Sequence, residues 1–422
     1  MDVNATNLPT TPPAQVIEEI RAKLAEEPSR QGPAYAMIVG AGFSYGVVPL
    51  TQELLHECIG DFYVLDAGGD GHERTRSQKR RYSARFWKEF NEAAPADAQR
   101  VALDKTGLPS NPSAAYQNLF DYRVAKELFS PPSDEADRSY VGRLRRARGV
   151  PKPKVVGGRK FVNEFLQYVL DPGGYEAQPG RSGARGDYRT TGRNEINGAH
   201  FYLASLIELQ QTGQLRNLRP FCRTVFTTNF DTLLQDALQL VNVLYTLTDR
   251  PERGLDSSDF PDGDPVIHLV YSHGSILRRN AASSVAEIQE LKEKSTGALR
   301  NYLESRDILI LGYGGWDDCL MSALGACGKH RIYWCDVYSP EAAKQSLAPD
   351  VLEILTKRDS CATYVCLGSQ GAEGFMARLF HALAPAGGPP ALLRDPVEPF
   401  RERIGRMKLD RSCMPWAGFP RY

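Results

Sequence analysis

The stretch Thr227-Thr228-Asn229-Phe230-Asp231 follows an apolar strand candidate, Thr224-Val225-Phe226, and opens the amphipathic segment Leu233–Leu240. In an open parallel sheet, ligands bind outside the carboxyl ends of the strands, where a strand gives way to a polar turn and a helix. We therefore expect Asn229 and Asp231 to lie where chemistry takes place.

Two other stretches have the same strand-then-turn character. Tyr35–Val39 leads into Gly40-Ala41-Gly42-Phe43-Ser44, and Val266–Tyr271 leads into Ser272-His273-Gly274-Ser275. Apolar runs without alternation are typical of strands that are buried on both faces of a sheet. The sequence thus predicts one pocket that these three turns build together.

The first turn has the glycine content of a nucleotide-binding loop. Gly40, Gly42 and Gly46 form a G-x-G-x-x-x-G pattern before a predicted helix, Thr51–Ile59. Such glycines let the backbone approach a pyrophosphate closely. The spacing is one residue longer than in the dehydrogenase fingerprint, and no second strand ending in an acidic residue follows about 20 residues later. A hydride-transferring enzyme is therefore disfavoured.

The order of the predicted elements indicates the fold class. Helical segments separate most of the strands, as right-handed crossovers in a doubly wound sheet require. We predict an α/β fold, a Rossmann-like doubly wound parallel sheet with a large, mainly helical insertion after the first βα unit. The predicted strands, of which 224–227 is taken as central, cover residues 35–39, 224–227, 241–247, 266–271, 307–311, 331–335 and 362–367.

The chain divides into four predicted parts. Residues 1–34 form an N-terminal arm and a helix, and residues 35–60 together with 199–385 form the Rossmann-like domain. Residues 61–198 form the helical insertion, and residues 386–422, which are rich in Pro, Gly and Arg, form an irregular tail. The candidate helices of the insertion are Ser83–Ala93, Ser113–Phe129 and Lys160–Leu170.

Overall charge gives no indication of a polyanionic partner, because 51 basic residues balance 51 acidic ones. Two basic clusters, Arg74–Arg85 and Arg143–Lys160, lie inside the insertion. We interpret them as a solvated face or a linker. The alternative is a contact surface for an acidic partner or nucleic acid, but no aromatic interleaving supports single-strand stacking, and direct nucleic-acid binding stays open.

The eight cysteines include no C-x-x-C pair, which excludes the usual zinc-ribbon and redox dithiol spacings. No metal is expected. Scattered thiols suit a reducing compartment, and no signal-peptide pattern or run of 18 apolar residues is present. We therefore expect a soluble, cytoplasmic protein without a membrane partner.

Three motifs, taken in order along the chain, resemble the diagnostic motifs of the sirtuin family. They are Gly40-Ala41-Gly42-Phe43-Ser44, Thr228-Asn229-Phe230-Asp231 and His273-Gly274. His200, followed by Leu203 and Leu206, is similar to the H-x-x-L-x-x-L helix that precedes the sirtuin asparagine motif. The resemblance covers residues 35–50 and about 199–340.

Two sirtuin features are missing. Only 38 residues separate His273 from Gly312, and they contain neither C-x-x-C pair of the deacylase zinc module. Pro49 does not begin the family's P-D-F-R run. Together with Gly312-Tyr313-Gly314-Gly315-Trp316-Asp317, the motifs look more like the divergent bacterial sirtuin-like proteins of antiphage defence, whose domain hydrolyses NAD.

This resemblance implies roles for individual residues. Asn229 would orient the ribose and the attacking water, and His273 would accept a proton. The amides of Ala41, Gly42 and Phe43 would hold the diphosphate, with a further bond from Ser44. The predicted NAD-binding residues are Gly40, Ala41, Gly42, Phe43, Ser44, Thr228, Asp231, Gly312, Tyr313, Gly314 and Asp317.

Each assignment has a structural alternative. Asp231, Asp317 and Asp318 sit at helix starts, where a carboxylate caps the helix without any ligand. We interpret His200 as a packing histidine and His268 as a structural residue of its strand.

Three functions are compatible with these patterns. The first is a regulated hydrolase that depletes NAD+, its substrate, in antiphage defence by abortive infection, yielding ADP-ribose or its cyclic form. Such an enzyme needs control, so we expect a homo-oligomer and consider a HerA-type ring ATPase as a candidate partner. The second is a sensor that binds NAD or ADP-ribose without turnover. The third, which the absent zinc module disfavours, is a protein deacylase or ADP-ribosyltransferase.

Overall fold

The computed structural model describes residues 8–26, 32–45, 48, 51–66, 75–93, 100–111, 115, 165, 169, 196–215, 217–249, 266–273, 285–315, 318–326, 330–357 and 361–384. The fold and the site are those of these residues. Four predicted segments lie outside them. These are the helices Ser113–Phe129 and Lys160–Leu170, in which residues 115, 165 and 169 are described, the basic cluster Arg143–Lys160 and the tail 386–422. The proposed division into domains stays a prediction.

Seven parallel strands form one sheet in the order β3-β4-β2-β1-β5-β6-β7. The α/β, Rossmann-like fold class is therefore confirmed. The central strand is β1, and the strand predicted as central, β2, lies beside it. The strands are β1 Tyr35–Val39, β2 Cys222–Thr227, β3 Tyr245–Thr248, β4 Ile267–Tyr271, β5 Asp307–Leu311, β6 Ile332–Asp336 and β7 Ala362–Cys366.

The described helices cover both faces of the sheet or belong to the insertion. The predicted helix at Thr51 runs on as a π-helical turn, Leu54–Cys58, and a further helix. The helices are α1 Pro13–Glu26, α2 Thr51–Glu53, α3 Ile59–Asp66, α4 Arg76–Ala93, α5 Gly198–Gln211, α6 Leu233–Leu240, α7 Val285–Leu303, α8 Cys319–Ala326, α9 Pro340–Ser346, α10 Pro349–Thr356 and α11 Gly371–Leu383.

One predicted strand began too early. Residues 241–244 continue from α6 into a turn, in which Asn242 has a φ of 61° and the amide of Val243 donates to Leu238 O. The strand itself starts at Tyr245. Val241 and Val243 have the β-branched side chains of a strand, but here Val243 is buried against the helix end. Local propensity was overridden by this packing.

Two apolar layers enclose the sheet. Strands β1, β4 and β5 are buried at every position, which explains why they appear in the sequence as uninterrupted apolar runs. Helix α1 packs into one of these layers through the side chains predicted from its spacing. These are Val16, Ile17, Ile20 and Leu24.

The edge strand β7 is covered by the segment before α1. Thr11 N donates to Tyr364 O and Tyr364 N donates to Pro9 O, over 2.9 and 2.8 Å. None of the described helices combines the length and the apolar character needed to cross a membrane.

Candidate functional site

The polar turns after four neighbouring strands meet at the carboxyl edge of the sheet. Each turn is tied to the strand beside it by a backbone hydrogen bond: Thr228 N donates to Val39 O, Ser272 N to Thr227 O, and Gly40 N to Leu311 O. These distances are 3.1, 2.9 and 3.1 Å. The three turns predicted to form one pocket are therefore adjacent, and the turn after β5 joins them.

The turns after β1 and β5 pack backbone against backbone. Gly42 N donates to Gly312 O over 2.9 Å. A Cβ atom on Gly40 would lie 2.6 Å from Gly312 O, and one on Gly312, whose φ is +66°, would lie 2.6 Å from Gly42 Cα. Because no side chain fits between them, glycine is required on both sides of this contact.

The same contact occupies two amides that the sequence assigned to a diphosphate. Gly42 N bonds Gly312, and Phe43 N donates to Gly40 O over 2.8 Å within the 3-10 turn Ala41–Ser44. Diphosphate binding by these amides stays a prediction that requires those bonds to be exchanged. Among residues 40–44 and 312–315, Ala41 and Gly314 are exposed, and at these positions the backbone carries the smallest side groups.

Ser44 is fully buried and lies at the centre of a cluster of polar side chains, which we call the Ser44 cluster: Ser44, Asn197, His200, Asn229 and Asp231. The Ser44 hydroxyl lies 3.1 Å from His200 Nε2 and 3.3 Å from Asp231 Oδ2, and it accepts from Asn229 Nδ2 over 3.0 Å. Ser44 therefore holds side chains from β2's turn and α5 together.

Asn197 fixes the tautomer of His200. Its Nδ2 donates to Phe43 O, so its Oδ1 faces His200 and accepts from both the backbone N and the ring Nδ1, at 3.2 and 2.6 Å. The hydrogen of the ring is thus on Nδ1. Burial lowers the pKa of His200 to about 3, so the ring is neutral and Nε2 accepts.

This assignment leaves one hydroxyl hydrogen for two acceptors. If the hydroxyl of Ser44 donates to His200, it cannot also donate to Asp231 Oδ2. A proton on Asp231 resolves the conflict, since its carboxyl then donates to Ser44. Burial raises the pKa of Asp231 to about 6, in the same direction. The bond from Leu233 N opposes the shift, as does a bond from the Ser44 hydroxyl to the ionised carboxylate.

Asp231 also caps the start of α6, as its structural alternative anticipated. Its Oδ1 accepts from Leu233 N over 3.1 Å, and its backbone O accepts from the Tyr271 hydroxyl over 3.0 Å. The backbone of Asn229 is fixed by the preceding strand, since its N donates to Thr227 Oγ1 over 3.1 Å. The Asn229 side chain remains partly exposed, whereas Asp231 is buried.

A second polar group forms opposite this cluster. His273 Nε2 lies 2.9 Å from Asp318 Oδ2, which also accepts from the Tyr313 hydroxyl over 2.7 Å. Asp318 Oδ1 accepts from Met321 N over 2.9 Å at the start of α8. Strands β4 and β5 are separated in the sheet by β2 and β1, so the His273–Asp318 pair crosses above both.

The residues expected from the sequence occupy this edge, with two differences. Thr228, Gly312, Tyr313 and Gly314 lie in the turns, while Asp317 is outside the described residues. His200, interpreted as a packing residue, does pack edge-on against Phe43 at 5.0 Å, but it also bonds Ser44.

Three residues of the site were missed. Asn197 and Asp318 were not predicted to bond a histidine, and His200 was not placed in the site. The only available signal for the first was its position as N-cap of α5, three residues before His200. Among the described residues, no group of three or more His, Cys, Asp or Glu side chains is placed to hold a metal ion.

Comparison with known families shows what part of the chain resembles. The model of the family described as SIR2-like domain matches residues 223–336, about a quarter of the chain. The matched range begins in β2 and ends with β6, so it includes Asn229, His273 and Asp318 but not the turn after β1. A comparison with curated proteins finds none that matches. SIR2-like domains bind NAD+, and residues 223–336 are similar to them, which points to NAD-related chemistry at this edge of the sheet.

Proposed function

We propose that the protein is an NAD+ hydrolase that cleaves the bond between nicotinamide and ribose. The observation that carries the proposal is the convergence of Asn229 and His273 at one edge of the sheet, each held by its own buried polar partners. A partly exposed amide and an oriented imidazole are the groups that binding a ribose and activating a water require.

The surrounding residues are compatible with a dinucleotide. Ala41 and Gly314 leave the exposed backbone of two turns accessible to phosphate oxygens. Crevices outside the carboxyl ends of a parallel sheet, at the point where the chain reverses its direction of winding, are the usual place for such ligands. Here that point lies between β1 and β5, where the two glycine turns touch.

In the proposed reaction a water molecule attacks the anomeric carbon of the ribose. The new bond joins this carbon to the water oxygen, and the bond to the nicotinamide nitrogen breaks with its electron pair going to nicotinamide. His273 accepts the proton that the water loses and then releases it to solvent. NAD+ and water thus give nicotinamide, ADP-ribose and one proton, and no further reactant is required.

The test is nicotinamide release from NAD+ by the purified protein, alone and with candidate partner proteins. We expect Asn229→Ala and His273→Ala to lower the rate by roughly 10²–10⁴. Matched controls are Asn301→Ala and His381→Ala, which remove the same residue types from exposed helix positions and should leave the rate unchanged. Equal activity of site and control variants would overturn the assignment.

The proposed biological role is depletion of NAD+ in antiphage defence. Uncontrolled hydrolysis would kill the cell that makes the enzyme, so the proposal includes control by assembly: a homo-oligomer, a HerA-type ATPase or a phage signal. The surfaces that we nominate, residues 61–198 and the chain after Ala384, lie mostly outside the described residues. A size measurement of the protein with and without such an ATPase tests this part.

An NAD or ADP-ribose sensor is the second candidate. Its supporting observation is that the Ser44 hydroxyl and Asp231 are fully used within the protein, as expected of a rigid binding site. Calorimetry separates the two: tight NAD+ binding without nicotinamide release under any condition would favour the sensor.

A further inference from the structure

The imidazole of His273 has two nitrogens, and only one of them can take a proton. Nε2 faces Asp318 Oδ2 at 2.9 Å, and both residues are buried, with 7% and 1% exposure. In the neutral ring, only one of the two nitrogens carries a hydrogen. The hydrogen bond that a ring nitrogen makes with its protein partner decides which one it is.

Asp318 is held so that it can only accept. The Tyr313 hydroxyl donates to Oδ2 over 2.7 Å, and Met321 N donates to Oδ1 over 2.9 Å. Because both donors hold the carboxylate in place, the remaining lone pair of Oδ2 faces the ring and receives the hydrogen of Nε2.

We propose that Asp318 is a positioning residue that, together with Tyr313, keeps His273 in the Nε2–H tautomer, so that Nδ1 is the nitrogen that accepts the proton of the attacking water. The proposal rests on the proposed function for the role of Nδ1. The tautomer itself does not depend on that function.

The substitution Asp318→Asn reverses the hydrogen bond without changing the shape of the side chain. The amide oxygen of the new residue is required by Met321 N, so its NH2 group takes the place of Oδ2 and points at Nε2. Nε2 must then accept, the ring hydrogen moves to Nδ1, and the base is lost. We expect kcat to fall roughly 10²–10⁴-fold while the Kd for NAD+ changes less than about threefold.

Tyr313→Phe is the milder variant, because it removes one donor but leaves Asp318 and Met321 in contact. It should keep the Nε2–H tautomer and lose less than about tenfold in kcat. Asp307→Asn is the matched control. It makes the same change in a buried carboxylate at the amino end of β5, where Lys23 Nζ lies 2.6 Å from Oδ2 and Arg331 N donates to Oδ1, and it should leave kcat unchanged.

The deciding measurement is the ¹⁵N NMR spectrum of histidine-labelled protein, with His273→Gln used to assign the signal. The wild type should show hydrogen on Nε2, and Asp318→Asn should show it on Nδ1. Hydrogen on Nδ1 in the wild type, or an unchanged tautomer in a folded Asp318→Asn variant, would overturn the proposal. If the tautomers behave as expected but the protein never releases nicotinamide, the effect of Asp318 on the tautomer stands, whereas the hydrolase assignment and the role of Nδ1 fail.

Discussion

At the scale of single residues, the hydrogen bonds of the Ser44 cluster depend on how many hydrogens its side chains carry. His200 needs the hydroxyl hydrogen of Ser44, since its other nitrogen already donates to Asn197. Asp231 Oδ2 and the Ser44 oxygen then share a hydrogen only when Asp231 is the neutral acid. Below about pH 6, where Asp231 is neutral, the cluster therefore holds a proton beside Asn229, a residue that we place in the catalytic site.

This proton makes stability depend on pH. The pKa of Asp231 is about 6 in the folded protein and about 3.9 when unfolded, so the folded state binds the proton more tightly. The resulting stabilisation is fully present below pH 3.9 and is lost as the pH rises through 6. Asp231→Asn, whose NH2 group replaces the acid hydrogen, should remove this loss.

Denaturant unfolding of wild type and Asp231→Asn at pH 5 and pH 8 measures the effect. As the pH rises from 5 to 8, we expect the free energy of unfolding of the variant to increase by about 1–2 kcal/mol relative to that of the wild type. Asp336→Asn is the comparison variant. Asp336 lies at the end of β6, outside the Ser44 cluster, and burial raises the pKa of its carboxyl too. A difference between Asp231→Asn and wild type that does not change with pH would show that Asp231 is ionised throughout.

The sequence located Asn229, Asp231 and His273 because each follows an apolar strand in a polar turn. It could not assign Asn197, His200 or Asp318, whose roles depend on contacts across the fold. Ser44 and His200 are 156 residues apart in the chain, and His273 and Asp318 are 45 apart. Nothing in the local pattern distinguishes a helix cap from a cap that also orients a histidine.

At the scale of elements, the contact between the turns after β1 and β5 sets the position of Ser44. Gly312→Ala would force a Cβ atom into Gly42 and strain a backbone with φ of +66°. We expect a loss of roughly 2–4 kcal/mol in unfolding free energy and a large loss of nicotinamide release, because the turn that carries Ser44 must move.

Gly213→Ala is the matched control for this substitution. Its φ is +70°, but a Cβ atom there meets nothing within 4 Å, so it should lose only about 1–2 kcal/mol and keep full activity. Thermal unfolding and nicotinamide release of both variants separate backbone strain from the clash. Equal effects of the two substitutions would mean that the turns can move apart without consequence.

The strands were predictable because burial on both faces removes alternation and leaves apolar runs with clear ends. The predicted strand 307–311 coincides with β5, and 331–335 differs from β6 by one residue at each end. Strand β3 was less predictable, since it is one of the two edge strands and none of its residues is fully buried. Its start was therefore confused with the apolar end of α6.

At the scale of the whole molecule, one edge of the sheet is covered by the segment that precedes α1. Strand β7 is paired with residues 9–11, and Leu8 reaches the apolar layer with 7% exposure. An unpaired edge strand is a template for association with other chains. The segment before α1 therefore protects one edge of the sheet, far in sheet order from β2 and β4, which carry the catalytic turns.

Removing residues 1–11 tests this protection. The truncated chain loses two backbone hydrogen bonds to Tyr364 and the burial of Leu8, which together are worth about 2–4 kcal/mol. We expect a lower midpoint of thermal unfolding, faster hydrogen exchange at the Tyr364 amide and more aggregation, but unchanged nicotinamide release per folded molecule. Thr10→Ala, at an exposed position of the segment, is the control and should behave as wild type. Slow exchange at Tyr364 in the truncated chain would show that another part of the molecule covers the edge.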